Sequence, residues 1–62
     1  MRSIARLRKK AKVTQAELAA KLSVTQSAIS QWEHGETQPE VGKLLKLSEI
    51  FGCTVDEILK GE

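Results

Sequence analysis

The fold is decided by residues 13–35, Val13-Thr14-Gln15-Ala16-Glu17-Leu18-Ala19-Ala20-Lys21-Leu22-Ser23-Val24-Thr25-Gln26-Ser27-Ala28-Ile29-Ser30-Gln31-Trp32-Glu33-His34-Gly35. Thr14 and Glu17 have the spacing of a capping box, in which each side chain accepts a backbone N–H at a helix start. Val13 and Leu18 sit where a hydrophobic staple closes over that start, so a helix is expected over 15–22. The pattern then restarts. Thr25 is placed to cap a second helix, Val24 and Ile29 are its staple pair, and Gly35 is its stop. The two helices are joined by Ser23 to Thr25. That connection is too short for a hairpin of long antiparallel helices and suits a near-perpendicular pair. Leu18, Leu22, Val24, Ile29 and Trp32 fall where such a pair must bury its crossing, and the small Ala19 allows close approach.

Working outward, Ile4, Leu7 and Ala11 share one face of a helix over residues 2–10. Beyond the central pair, Pro39 introduces a helix with apolar positions Val41, Leu44, Leu45, Leu47 and Phe51, ended by Gly52. Cys53-Thr54-Val55-Asp56-Glu57-Ile58 repeats the box and staple, starting a fifth helix that ends before Gly61. The expected fold is all-α, a compact five-helix bundle forming a single domain over residues 1–62, with its helix-turn-helix at about residues 15–34.

Composition narrows the function. A 62-residue chain has room for one core, and a chain of this size buries only about 60% of the surface it exposes when unfolded. A deep substrate pocket is hard to build in it, which argues against an enzyme. With Cys53 the only cysteine, an intrachain disulfide is impossible and a cysteine-based metal site is disfavoured. Cys53 reads as a small apolar residue near a helix end. Neither a signal peptide nor a run of about 20 apolar residues is visible, so a cytoplasmic location is expected. The net charge of +2 is unevenly placed. Residues 1–12 hold six basic side chains and no acid, whereas the rest of the chain holds four basic and eight acidic ones. Such a basic end steers a molecule toward a polyanion.

The helix after Thr25 has two faces. Ala28, Ile29 and Trp32 lie on one, and Gln26, Ser27, Ser30, Gln31 and His34 on the other. In a chain with 29% charged residues, a merely solvated face would carry Lys and Glu, yet this one is amide and hydroxyl. Those groups hydrogen-bond base edges, Gln bidentately to adenine and Ser to several partners.

The run Thr14-Gln15-Ala16-Glu17-Leu18-Ala19, followed by Ser27-Ala28-Ile29-Ser30-Gln31-Trp32-Glu33-His34-Gly35, resembles the Cro/repressor-type (Xre-like) helix-turn-helix family, which includes the lambdoid phage repressors. The resemblance extends from Ile4 to Leu59. It implies a five-helix domain whose third helix enters the major groove while the second lies across the DNA backbone. Gln26 resembles the glutamine that reads adenine at the start of the recognition helix. Gln15 resembles the residue that contacts phosphate and braces that glutamine. Thr25, Ser27, Ser30 and Gln31 complete the expected DNA-binding set, and the N–H groups opening the second helix are available to a phosphate. The resemblance also implies a buried salt bridge between Arg8 and Glu33.

The sequence departs from the family at four places. Ser23 stands in the turn where glycine is frequent, Glu40 where a Ser or Asp cap is common, and Ser48 where alanine is usual. The loop Glu36-Thr37-Gln38 lacks the basic residues that often grip phosphate. Lys10 and Lys43 are the expected phosphate contacts in their stead. Trp32 is read as core. His34 has no further ligands at metal spacing, and no catalytic or metal set and no cofactor is expected. The expected partner is double-stranded DNA at a palindromic operator, bound by a weak homodimer joined through the C-terminal half at Val55, Ile58 and Leu59. The expected role is a transcriptional regulator, a repressor in the first instance. The alternative is a protein-interaction module, an antitoxin or adaptor on the same fold.

Overall fold

A computed structural model describes residues 1–60. Its order is α1 (Arg2–Lys10), α2 (Gln15–Leu22), α3 (Gln26–His34), α4 (Val41–Phe51) and α5 (Val55–Leu59), with no strand among the described residues. Gly61, the expected boundary after the last helix, lies outside them. The bundle measures 24 × 22 × 20 Å.

The helix starts follow from the caps. Thr14 Oγ1 accepts from the Glu17 amide at 3.0 Å, while Glu17 Oε1 accepts from the Thr14 amide at 2.9 Å. Thr54 and Glu57 repeat this box on α5 at 3.1 Å in both directions. Glu40 makes no side-chain cap on α4, as the sequence implied.

The helix ends share one device. After α1, α2, α3 and α4 the chain passes through a left-handed residue, Lys12 (φ 60°), Ser23 (φ 57°), Gly35 (φ 78°) and Gly52 (φ 66°) respectively. Each time the next amide returns to a carbonyl of the last turn: Val13 to Arg8, Val24 to Ala19, Glu36 to Gln31 and Cys53 to Ser48. Glycine adopts this conformation freely, but a residue with a Cβ is strained there by about 1–2 kcal/mol. Ser23→Gly is therefore expected to stabilise the chain by roughly 0.5–1 kcal/mol after the greater entropy of the unfolded glycine is deducted, raising Tm by about 3–6 °C. Thermal melts followed by circular dichroism check this, and an unchanged or lower Tm would show that the turn holds no releasable strain.

The core is built from Ile4, Leu18, Ala19, Leu22, Ile29, Trp32, Leu44, Leu47 and Ile58. α2 and α3 cross on Leu18, Ala19, Leu22, Ile29 and Trp32, and α1 packs on α3 and α5. The buried Ser3 hydroxyl donates to the Ile58 carbonyl and ties α1 to α5. One surface expectation needs correction. Ile58, assigned above to a dimer contact, is fully buried, because as the fourth residue of α5 it is the staple that holds that helix on the core. On α4, Leu44 and Leu47 face inward, while Val41 and Leu45 are 72% and 54% exposed.

Candidate nucleic-acid interface

The Thr25 hydroxyl oxygen accepts from the Ala28 amide at 3.1 Å and so starts α3 at Gln26. With Ile29 and Trp32 anchored inward, helical geometry turns Gln26 and Ser27 out to solvent, and Ser30 and Gln31 are half-exposed. Thr25 just ahead of the helix is exposed as well. The Thr37 hydroxyl donates to Gln31 Oε1 at 3.5 Å. His34 folds back along α3, its Nδ1 lying 2.8 Å from the Ser30 carbonyl.

Behind this surface lies a connected polar chain. Arg8 Nε donates to Glu33 Oε2 at 2.6 Å, and Arg8 Nη1 donates to the Val13 carbonyl at 3.0 Å. The two charged side chains are 13% and 7% exposed, so the ion pair implied by the resemblance is present and largely buried. The other carboxylate oxygen of Glu33 accepts from Gln15 Nε2 at 2.8 Å. Gln15 Oε1 in turn accepts from Gln26 Nε2 across a longer 3.4 Å contact. Burial pushes the Glu33 carboxyl up, but the hydrogen bonds from Arg8 and Gln15 and the positive charges of Arg8 and Lys9 outweigh it, and the group sits below the ordinary glutamate value.

The bracing of Gln26 by Gln15 was expected; the seating of Gln15 on Glu33 was not. No local pattern announces it, because the two residues are 18 apart and meet only once α2 and α3 cross. Lys43 is half-exposed and donates through Nζ to the Leu22 carbonyl at 3.0 Å, closing the end of α2. Lys10 is exposed at the end of α1.

Other features lie elsewhere. A cleft of about 340 Å³ is lined by Leu7, Lys10, Ala11, Phe51, Gly52, Cys53 and Glu57, and shares no residue with α3. Burial and the nearby Glu57 charge push the Cys53 thiol up, away from reactive thiolate. Among the described residues no three His, Cys, Asp or Glu side chains cluster as metal ligands, and no helix is long and apolar enough to cross a membrane.

Two helices crossed on an apolar seam, with an uncharged hydrogen-bonding face turned outward from the second, define a helix-turn-helix. Residues 4–58 match the model of the Helix-turn-helix family. The chain belongs to the Cro/repressor-type (Xre-like) branch of that family. It is 47% identical over 55 residues to repressor protein C2 of Salmonella phage P22, covering 89% of this chain and 26% of that protein. To the transcriptional activator BcrR of Enterococcus faecalis it is 44% identical over 50 residues, covering 81% of this chain and 24% of that protein. The chain thus spans about a quarter of the length of these two relatives. The crystal structure of the P22 c2 repressor in complex with a synthetic operator superposes with a TM-score of 0.89 at 44% identity, covering 98% of this chain and 92% of that one. The solution structure of the same repressor's DNA-binding domain gives 0.85 at 46% identity, covering 95% and 78%.

Proposed function

We propose that this chain binds double-stranded DNA sequence-specifically as the reading domain of a transcriptional regulator, a repressor in the first instance. α3 enters the major groove and α2 lies across the backbone. The observation that carries this reading is the uncharged face of exposed Gln26 and Ser27 and half-exposed Ser30 and Gln31, set on a helix whose opposite side is locked into the core. Gln26 offers a bidentate partner for a base, and the serines and Gln31 extend the contact along the groove. Gln15, Thr25 and the first amides of α2 meet phosphate, joined by Lys10 and by the N–H groups of Lys43 that are not used on Leu22. No catalytic step or cofactor enters this reading, and the place of action is the cytoplasm, on the nucleoid.

One α3 with no Lys or Arg on its reading face holds a half-site weakly. Two copies on a palindrome, their recognition helices roughly 34–36 Å apart, supply affinity and register. The contact proposed for them lies in the C-terminal half at Leu59, which is 51% exposed, and the half-buried Val55, without Ile58. So small a surface gives a weak dimer completed on DNA. A chain that stays monomeric at millimolar concentration and binds isolated half-sites as well as palindromes would refute it.

The function is tested by selecting sites from a randomised duplex pool and re-measuring them across a salt series. A palindrome with adenine-containing half-sites is expected, with affinity falling steeply as salt rises. Salt-sensitive binding without enrichment would reduce the chain to a nonspecific electrostatic binder. Absence of duplex binding at low salt would favour a protein partner, for which the exposed Val41, Leu45 and Leu59 supply apolar contacts.

A further inference from the structure

The side chains from Arg8 to Gln26 form a directed series of donors and acceptors, and the direction is set at its buried end. An ionised carboxylate only accepts hydrogen bonds. Glu33 uses one oxygen for Arg8 Nε at 2.6 Å and the other for Gln15 at 2.8 Å. Gln15 must therefore present its NH2 group to Glu33, since its carbonyl oxygen there would face a negative charge. That choice leaves Gln15 Oε1 at the outer end of the amide, where it accepts from Gln26 Nε2 at 3.4 Å. Gln26 in turn has one N–H engaged and keeps one N–H donor and one carbonyl acceptor for whatever approaches its exposed side.

The chemistry of base edges makes this polarity selective. Adenine presents an acceptor, N7, beside a donor, N6–H2, whereas guanine presents two acceptors, N7 and O6. A Gln26 with one free donor and one acceptor matches adenine, and its carbonyl would oppose O6 of guanine. An unbraced Gln26 is free to turn both N–H groups of its amide toward guanine.

We propose that Glu33 is a positioning residue for base reading, its carboxylate fixing the polarity of the Gln15 amide and through it that of Gln26, so that adenine is preferred to guanine at the base Gln26 faces. The inference rests on the reading of Gln26 as a base contact. It assigns Glu33 a role in specificity beyond its ion pair, from a place beneath the interface.

The test measures the ratio of affinities for two duplexes that differ by adenine or guanine at the base whose identity matters to Gln26. The proteins compared are the wild-type chain, Gln26→Ala, Glu33→Gln, Gln15→Met, and the Glu33→Gln/Gln15→Met double variant. Gln15→Met keeps the shape of the side chain and leaves the Arg8–Glu33 pair intact, so it serves even if Glu33→Gln folds poorly. In wild type and Gln15→Met, the side-chain amide protons of Gln26 are also followed by NMR without DNA. The adenine-to-guanine ratio is expected to fall roughly 5-fold or more in both Glu33→Gln and Gln15→Met. The double variant falls no further than either single one, because all three break the same series. In the free protein, Gln15→Met is expected to bring the Gln26 amide protons to solvent-like exchange.

A purely structural role for Glu33 would weaken binding to both duplexes alike and leave the ratio unchanged. If Gln26→Ala abolishes the ratio while Gln15→Met retains it, base reading by Gln26 stands and the polarity series falls. If Gln26→Ala also retains it, the base reading itself is wrong and the inference goes with it.

Discussion

Glu33→Ala is expected to lose about 3–5 kcal/mol of folding stability, the cost of stranding a buried partner charge. Arg8 would keep its hydrogen bond to the Val13 carbonyl but lose the carboxylate facing a guanidinium side chain that is only 13% exposed. Small domains have total stabilities of roughly 0.05–0.15 kcal/mol per residue, so this loss would leave much of a 62-residue chain unfolded at 37 °C. Urea titration measures it directly. The paired replacement Arg8→Met/Glu33→Leu is expected to recover most of the loss, because an apolar pair of similar volume removes both charges together. A Glu33→Ala loss below about 1 kcal/mol would mean that the pair behaves as a solvated surface bridge.

The same pair sets a pH dependence of definite sign. The folded-state value of Glu33 lies below its ordinary value of 4.5, burial being outweighed by Arg8 and Gln15. The contribution is therefore complete above the unfolded value and disappears as pH falls through the lower folded value. Glu17 and Glu57 are shifted the same way, each held down by the backbone amide and hydroxyl of its capping threonine, Thr14 or Thr54. Melts at descending pH are expected to show stability falling below about 4.5, with a shallower fall in the Arg8→Met/Glu33→Leu protein. Equal slopes in the two proteins would remove Glu33 from the acid response.

Gln26→Ala is expected to weaken binding to the selected site by roughly 5- to 150-fold while barely changing affinity for unrelated duplex, the range for losing one bidentate base contact. The side chain is exposed and lies at the first position of α3, so its removal opens no cavity and the fold should persist. Lys10→Ala should act in the opposite way, lowering affinity for all duplexes together and reducing the salt slope by about one ion. Fluorescence anisotropy on specific and scrambled duplexes separates the two. A Gln26→Ala protein that lost affinity equally on both would place Gln26 on the backbone.

The helices were legible because their determinants are local. Thr14 with Glu17 and Thr54 with Glu57 lie within one helical turn of each other, and the structure forms both capping boxes at those residues. Gly35 and Gly52 end helices for a reason contained in single residues, the absence of a Cβ. Lys12 adopts the same left-handed geometry with no such signal, since nothing in a lysine announces it. The polar face of α3 could be read from helical periodicity alone, as could the burial of Ile29 and Trp32 opposite it.

The sequence by itself thus determined five helices, their caps and the chemical character of the exposed α3 face. Only the tertiary structure decided how that face is held. The staple pattern marks Ile58 as an apolar residue in the first turn of α5, but whether it meets a core or a partner depends on where α5 packs, and here the core takes it. The resemblance supplied Arg8 with Glu33 and Gln15 with Gln26 as separate pairs. Their joining through one carboxylate arises because the crossing of α2 on α3 brings Gln15 onto Glu33. Capping and amphipathicity act over three or four residues and are written along the chain. Contacts between side chains far apart in sequence depend on the angle and register of packed helices, which the whole core sets at once.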